Sequence, residues 1–533
     1  MSCKSGERAG QERTHQPPTR QRRQPEQGTL YGVLAEHLET FLAHASADET
    51  RPPLPRFVER ELRGYLHCGL LCHGFARVHC GGCGKDILVA FSCKGRGFCP
   101  SCSGRRMAET AAKLVDRVIP NVPVRQWVLS LPWRLRYLLA SDPALCRVVR
   151  RSYLRAVFAF YRSRIEAEGF PGGRTGSVNV VQRFGSALNL NIHFHTLLLD
   201  GVYTAASPFA PAVFHPVPEF GTEDIARLLH TIRTRILRLL QRRGLWPAPG
   251  EEDSATSSDI DQDSVLPFIS AASIQNRIGL GPDSGKHIKR LGEASGDTDP
   301  FDKGARPLCA QQDGFSLHAE VHVEAHDRVR LEHLCRYVAR GPLAAERLSL
   351  SPEGQVVLEL RRPWRDGTTH FVFDPLTFIE RLAALVPRPG VHQVTYHGVL
   401  APASTWRDMI VPPPPPLDLD PAPAGHKAKA PAAQAAPPLQ ALAEYEAAVE
   451  YKAARSSPAP PSPSSDPYSW SALMRRVFRI DVLHCTHCGG RRKLIAFITH
   501  PPDIRRILGH LKLPVDPPPI APARPPPQLD FAW

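Results

Sequence analysis

A single residue, Phe194, separates His193 from His195 inside the apolar run 190–203. The run reads as a β-strand, and in a strand residues i and i+2 project to the same side. Both imidazoles therefore aim at one patch of space, as two ligands of a divalent cation must. The competing reading is a pair of half-buried histidines satisfied by ordinary hydrogen bonds. A second group with chemistry is Tyr337. Asp327 caps the helix that carries it, and Leu331, Leu334, Cys335 and Val338 keep the spacing of a buried stripe. Tyr337 falls at the margin of that stripe, beside His333 and near Arg330, Arg336 and Arg340. A phenol among guanidinium groups is placed to meet a phosphate. The competing reading is a boundary tyrosine that packs its ring and exposes its hydroxyl.

The thirteen cysteines are unevenly spread. Cys80-x2-Cys83-x15-Cys99-x2-Cys102 has the two-knuckle spacing of a structural zinc ribbon, with Gly81, Gly82, Gly84 and Pro100 as turn residues. A disulfide framework is the weaker reading in a long chain with no export signal. Cys93 is a spare thiol able to compete as a ligand, whereas Cys68 and Cys72 read as helix-packing residues. Cys485-x2-Cys488 forms a late pair without a following partner pair. His484, His487 and His500 are available to complete a second zinc site there, or the pair is a simple thiol turn.

A chain of 533 residues needs more than one core. Its 42% hydrophobic and 22% charged content suits a folded protein, and no apolar run approaches the ~20 residues of a membrane helix. The polar, Arg/Gln-rich start lacks the apolar stretch of a secretory signal, so a cytoplasmic location is expected. A formal charge of +14 favours a polyanionic partner. From Lys94 to Arg174 there are 16 Lys/Arg against 5 Asp/Glu, and Arg105 and Arg106 open a helix as the chain leaves the ribbon. A basic helix there is suited to holding nucleic-acid backbone, although a solvated face has the same composition.

The expected class is α+β, with an antiparallel sheet bearing the histidines and helices flanking it. Residues 124–132 read as a strand closed by proline, about 143–168 as a long helix, and 177–184 with 190–203 as a hairpin. Helices are expected over about 222–244 and from Asp327 to Gly341-Pro342, and strands over 314–323, 356–361 and 369–373. The resulting division is a polar tail (1–28), a helical lead-in with the zinc ribbon (29–115), a central domain (120–405), a Pro/Ala-rich linker (406–467) and a small C-terminal unit (468–533). Residues 253–263 read as an acidic, Ser-rich loop.

Gln182-Arg183-Phe184-Gly185-Ser186 leading to His193-Phe194-His195, followed by Tyr337 on a helix, resembles the HUH endonucleases, named for histidine–hydrophobic–histidine. Together with the Cys80 to Cys102 ribbon, it resembles the rolling-circle transposases of the insertion-sequence-91-like family. The stretches 92–102, 362–368 and 396–402 carry the same likeness, which covers about residues 55–405 with a weaker echo at 478–513. The resemblance implies an HUH nuclease core preceded by a structural Zn²⁺ ribbon. It implies that His193, His195 and a third polar group hold Mg²⁺ or Mn²⁺ against a scissile phosphate. It further implies that Tyr337 attacks single-stranded DNA at element ends and target, leaving a 5′-phosphotyrosine and a free 3′-hydroxyl. Gln182 on the paired strand is the first choice for the third ligand, with His333 or Asp200 behind it. DNA contacts are expected at Arg105, Arg106, Arg183, Arg336 and Arg340, and a bacterial, nucleoid-associated location follows. Members with two tyrosines place the second four residues away; here those positions are His333 and Gly341, which matches a single-tyrosine subgroup, unless Tyr396 contributes. The alternatives are a non-catalytic zinc-ribbon DNA-binding protein, or a replication initiator or relaxase of the same chemistry. No Gly-x4-Gly-Lys-Ser/Thr motif is present, which weakens a fused initiator.

Overall fold

The computed structural model describes residues 23–47, 52–207, 210–246, 264–292, 307–412, 468–478 and 481–524. Most of the expected tail and linker and all of the acidic loop lie outside them. The chain starts with α1 (Thr29–Ala45), α2 (Arg56–Leu66), the hairpin β1 (Phe75–Cys80) and β2 (Asp86–Ala90), and α3 (Pro100–Arg117). Next come β3 (Val124–Ser130), α4 (Trp133–Ser141), α5 (Pro143–Ala167), β4 (Gly176–Phe184), β5 (Leu190–Leu199), β6 (Gly201–Thr204) and β7 (Val213–Pro216). Then follow α6 (Thr222–Gln241), α7 (Leu266–Ile274), β8 (Lys289–Leu291), β9 (Cys309–Gln312), β10 (Phe315–His318), β11 (His322–Val323) and α8 (Arg328–Ala339). The central part ends with β12 (Leu348–Leu350), β13 (Val356–Glu359), β14 (His370–Phe373), α9 (Pro375–Leu385), β15 (Val394–Gly398) and α10 (Arg407–Ile410). Last are α11 (Trp470–Phe478), β16 (Arg492–Ile498) and α12 (Pro501–His510).

The expected α+β class with antiparallel sheets is what forms. Its centre is a seven-stranded sheet ordered β15-β4-β5-β3-β10-β9, with β11 also paired to β3. β4 and β5 are the expected hairpin; the single strand expected over 314–323 is instead split into β10 and β11. Helices cover both faces, which is why β5 is buried at every position from Phe194 to Leu199 rather than at alternate ones. Ile192, Phe194 and Leu198 face a core shared with Trp127, Leu129, Tyr153 and Tyr161. Leu197 and Leu199 face the other way, with Val178 and Val180, onto Leu114 and Val115 of α3 and the Leu331, Leu334, Cys335, Val338 stripe of α8. The two histidines share the parity of Leu197 and so lie on the α8 face.

Local chemistry fixes the helices that matter. The Asp142 carboxylate accepts from the amides of Ala144 and Leu145 (2.7 and 3.0 Å) ahead of Pro143-started α5. Asp327 accepts from Arg330 N at 2.9 Å to start α8. At the other end of α8, a Cβ added to Gly341 would lie 2.3 Å from Ser103 Oγ, so only glycine lets the helix exit pass this close to α3.

The C-terminal segment does not stand apart as expected. β16 pairs along β1, giving a sheet ordered β16-β1-β2, and Ile504 and Leu508 of α12 pack with Leu71 and Phe75. Ala521 N donates to Ala35 O at 2.9 Å and Arg524 N to Thr40 Oγ1 at 3.0 Å, fastening the far end to α1.

Candidate metal and tyrosine site

The sheet register assembles the site. His193 stands opposite Gln182 of β4 on one side and Ser130 of β3 on the other; His195 stands opposite Val180 and Val128. The two rings lie 4.9 Å apart at 64°. His193 Nδ1–H donates to the Asn191 carbonyl at 2.8 Å, which leaves the Nε2 lone pair for a cation. His195 Nδ1 has the buried Gln126 amide nitrogen at 2.8 Å. Cation binding at His195 Nε2 requires that amide turned by 180°, so that its oxygen accepts from Nδ1–H. Burial is the main reason both imidazoles stay neutral. His193 is brought down to about 4, with Arg136 and Arg340 adding to the effect and the Asn191 carbonyl opposing it. His195 is held well below the usual histidine value by burial, His193 and Arg340. Neutral imidazole is the ligating form.

Gln182 serves two elements. Its Nε2 donates to the carbonyl of Val338 at 2.8 Å and to that of Tyr337 at 3.4 Å, capping the end of α8 where carbonyls lack helical partners. Its Oε1 is buried without a hydrogen-bond partner. An orphaned amide oxygen beside two neutral imidazoles suits a hard divalent cation, so these residues fit the metal the resemblance implies. His333, a runner-up ligand, is exposed on α8. Asp200, the other, is on the opposite side of the sheet. There it accepts a two-pronged contact from Arg125 (2.9 and 2.7 Å) and a bond from the Tyr161 hydroxyl at 2.6 Å, with His322 at 3.2 Å.

Tyr337 comes to the same place from above. Its ring meets that of His195 edge-on at 5.8 Å, and the residue is 41% exposed. The Arg340 guanidinium sits 4.6 Å from the Tyr337 ring and 5.7 Å from that of Phe184. Tyr396 pairs with Val178 of β4, one row beyond the site, and packs partly buried against the α3–α8 core.

The five arginines expected at DNA divide. Arg106 and Arg340 line a cleft with Arg96, Gln182, Phe184 and Gly341. Arg105 is exposed on α3. Arg183 also borders this cleft, but its guanidinium lies beside Cys146 and Arg388 on the other face, where burial lowers its pKa to about 10. Arg336 is paired with Glu332 on its own helix. Sequence reading missed the surroundings of Arg183: Arg147, Arg150, Arg388 and His392 line a pocket with it, and the Nε atoms of buried Arg150 and of Arg183 have no hydrogen-bond partner. Only the general basic bias of 94–174 pointed there.

It also missed Arg476. From α11 this side chain bridges Asp116 of α3 (2.9 Å) and Glu332 of α8 (2.8 and 3.0 Å), tying the C-terminal segment to the tyrosine helix. Arg476→Ala leaves two partly buried carboxylates without their shared partner. We expect a loss of about 1–3 kcal/mol in urea unfolding, with faster amide exchange in α8.

The cysteines assort differently from the expected single ribbon. Cys80, Cys83, Cys99 and Cys102 do not converge. Cys80 and Cys83 meet Cys485 and Cys488, while Cys99 and Cys102 meet Cys68 and Cys93. Cys68 is thus a member of a thiol cluster rather than a packing residue. The physical reason is the β1–β16 pairing, which brings the late pair to the first knuckle.

Two family models match. One, described as a transposase zinc-binding domain, covers residues 33–131, and the other, a putative transposase, covers 176–407. Neither a curated protein nor a solved structure matches the chain. Among the described residues no helix is long and apolar enough to cross a membrane. The two matched regions together take in more than half of the sequence, in the order zinc-binding then transposase, and the chain belongs to the insertion-sequence-91-like transposases, proteins of DNA transposition.

Proposed function

We propose that this transposase nicks and rejoins single-stranded DNA at element ends, with Tyr337 as nucleophile and His193, His195 and Gln182 as ligands of Mg²⁺ or Mn²⁺. The reading rests on one observation: two neutral imidazoles, an orphaned amide oxygen and an exposed tyrosine share one face of the sheet. A cation held there supplies Lewis-acid polarisation of the scissile phosphoryl group. Gln182 fixes the end of α8, and so sets where the phenol stands relative to β5. Arg340, stacked on the phenol, places positive charge beside the phosphate that the hydroxyl would attack. Attack by the Tyr337 oxygen forms the tyrosyl–phosphorus bond, breaks the bond to the 3′-oxygen and leaves a free 3′-hydroxyl. The covalent link keeps the bond energy, so rejoining needs no ATP. Two imidazoles favour Mn²⁺ over the more oxygen-demanding Mg²⁺.

The test is incubation with labelled single-stranded oligonucleotides carrying candidate end sequences and Mn²⁺. A denaturation-resistant protein–DNA adduct, lost on chelation, supports the reading; binding with no cleavage under any cation favours the passive DNA-binding alternative.

The pocket of Arg147, Arg150, Arg183 and Arg388 continues the strand path in this reading, since it shares Val181, Arg183 and Gln393 with the cleft of Arg106 and Arg340. For the double variant Arg147→Ala with Arg388→Ala, both exposed, we expect weaker single-strand binding and a salt slope shallower by about 1.4, from ~0.7 per phosphate contact. An unchanged slope in a binding titration across salt concentrations removes the pocket from the path.

A further inference from the structure

We propose that Cys80, Cys83, Cys485 and Cys488 together bind one Zn²⁺, separate from a Zn²⁺ on Cys68, Cys93, Cys99 and Cys102, so that a metal ion locks the end of the chain to its beginning. The zinc-binding match stops at residue 131 and contains no part of the late pair. Sulfur positions are the first argument. Cys80 Sγ lies 3.5 Å from Cys488 Sγ, and Cys83 Sγ lies 3.7 Å from Cys485 Sγ. Four sulfurs at about 2.3 Å from a zinc ion in a tetrahedron stand about 3.8 Å from one another. The second group has the same scale, with Cys68 3.6 Å from Cys99 and 3.8 Å from Cys102, and Cys93 3.4 Å from Cys102.

The backbone gives an independent argument. Cys80-Gly81-Gly82-Cys83-Gly84 and Cys485-Thr486-His487-Cys488-Gly489 form the same turn twice. Gly84 N donates to Cys80 O at 2.9 Å, and Gly489 N to Cys485 O at 2.8 Å. Cys80 N then donates to Lys85 O at 2.9 Å, and Cys485 N to Gly490 O at 2.8 Å. Gly84 and Gly489 hold the matching left-handed φ of 71° and 72°. The two turns face each other closely. A Cβ on Gly490 would lie 3.3 Å from Cys488 Sγ and 3.4 Å from Cys80 Sγ, and one on Gly82 would lie 3.3 Å from Cys488 Sγ. Paired identical knuckles with glycine wrapped around the sulfurs are the construction of a tetrathiolate zinc site. Left as free thiols, the same groups offer only weak hydrogen bonds and no reason for two separate turns to converge. The proposal is independent of the tyrosine chemistry.

Elemental analysis of the full-length protein, purified without chelator, is the test. Two zinc ions per chain are expected, falling to one in Cys485→Ser with Cys488→Ser. One zinc in the parent chain, iron in place of zinc, or two zinc ions retained in the double variant overturns the proposal. Should the double variant not fold, alkylation of the parent chain read by peptide mass spectrometry decides. Protection of Cys80, Cys83, Cys485 and Cys488 as a set, released together by chelator, supports the shared site. Release by reductant instead, or modification of Cys485 and Cys488 before chelation, overturns it.

Discussion

Replacing Tyr337 by Phe is expected to abolish the covalent protein–DNA adduct and to lower single-strand nicking by at least about a thousandfold, the scale on which removing a nucleophile acts. The change deletes one oxygen and little else. The ring keeps its edge contact with His195 and its place under Arg340, and its 41% exposure means that no buried cavity opens. Stability is therefore expected to change by less than about 0.5 kcal/mol, as for surface substitutions away from special features, and DNA affinity by less than about twofold. The measurement is a labelled oligonucleotide run on a denaturing gel, with peptide mapping of any adduct. An adduct of undiminished yield in Tyr337→Phe, whether mapped to Tyr396 or elsewhere, defeats the assignment.

The second large effect is expected from the ligands. His193→Ala with His195→Ala should lose the cation-dependent cleavage by about two to four orders of magnitude while still binding DNA. All three candidate ligands are neutral, and Arg136 and Arg340 bear positively on His193. A cation held by such a set has its charge balanced chiefly by the scissile phosphate, so Mn²⁺ affinity is expected to rise when oligonucleotide is present; calorimetry with and without DNA checks this. Depressed histidine values also set a pH dependence. Above about 6.5, the ordinary histidine value, folded and unfolded chains both carry neutral imidazole. As pH falls below that, the unfolded chain takes up protons that folded His193 and His195 refuse, so native stability declines, for His193 down to about pH 4. The double variant should lose that part of the slope in acid denaturation, and an unchanged slope would count against buried, neutral histidines.

The sequence disclosed the parts that obey a period. α8 was legible because Leu331, Leu334, Cys335 and Val338 repeat at helical spacing, and the β4–β5 hairpin because alternation and a turn bracket it. Gln182 followed from a paired strand, although its role in capping α8 depends on a tertiary contact that no local pattern encodes. α9 went unread because every residue from Thr377 to Leu385 is buried, so there is no polar face to mark a period. Even Glu380 and Arg381 are inside, the carboxylate accepting from Gly279 N and Leu280 N, the guanidinium donating to Ser273 O and Arg277 O. The cysteine grouping misled for a different reason. Four cysteines within 23 residues satisfy ribbon spacing, and spacing carries no information about a strand arriving from the other end.

That strand has a consequence for synthesis. Cys80 and Cys488 are separated by 408 positions, and at about 5–20 residues per second a ribosome needs roughly 20–80 s to make them. Throughout that interval β1 waits with one edge unpaired, a template for any stray extended peptide. A message broken before codon 485 would release polypeptides that never find this partner, and those products are expected in the insoluble fraction.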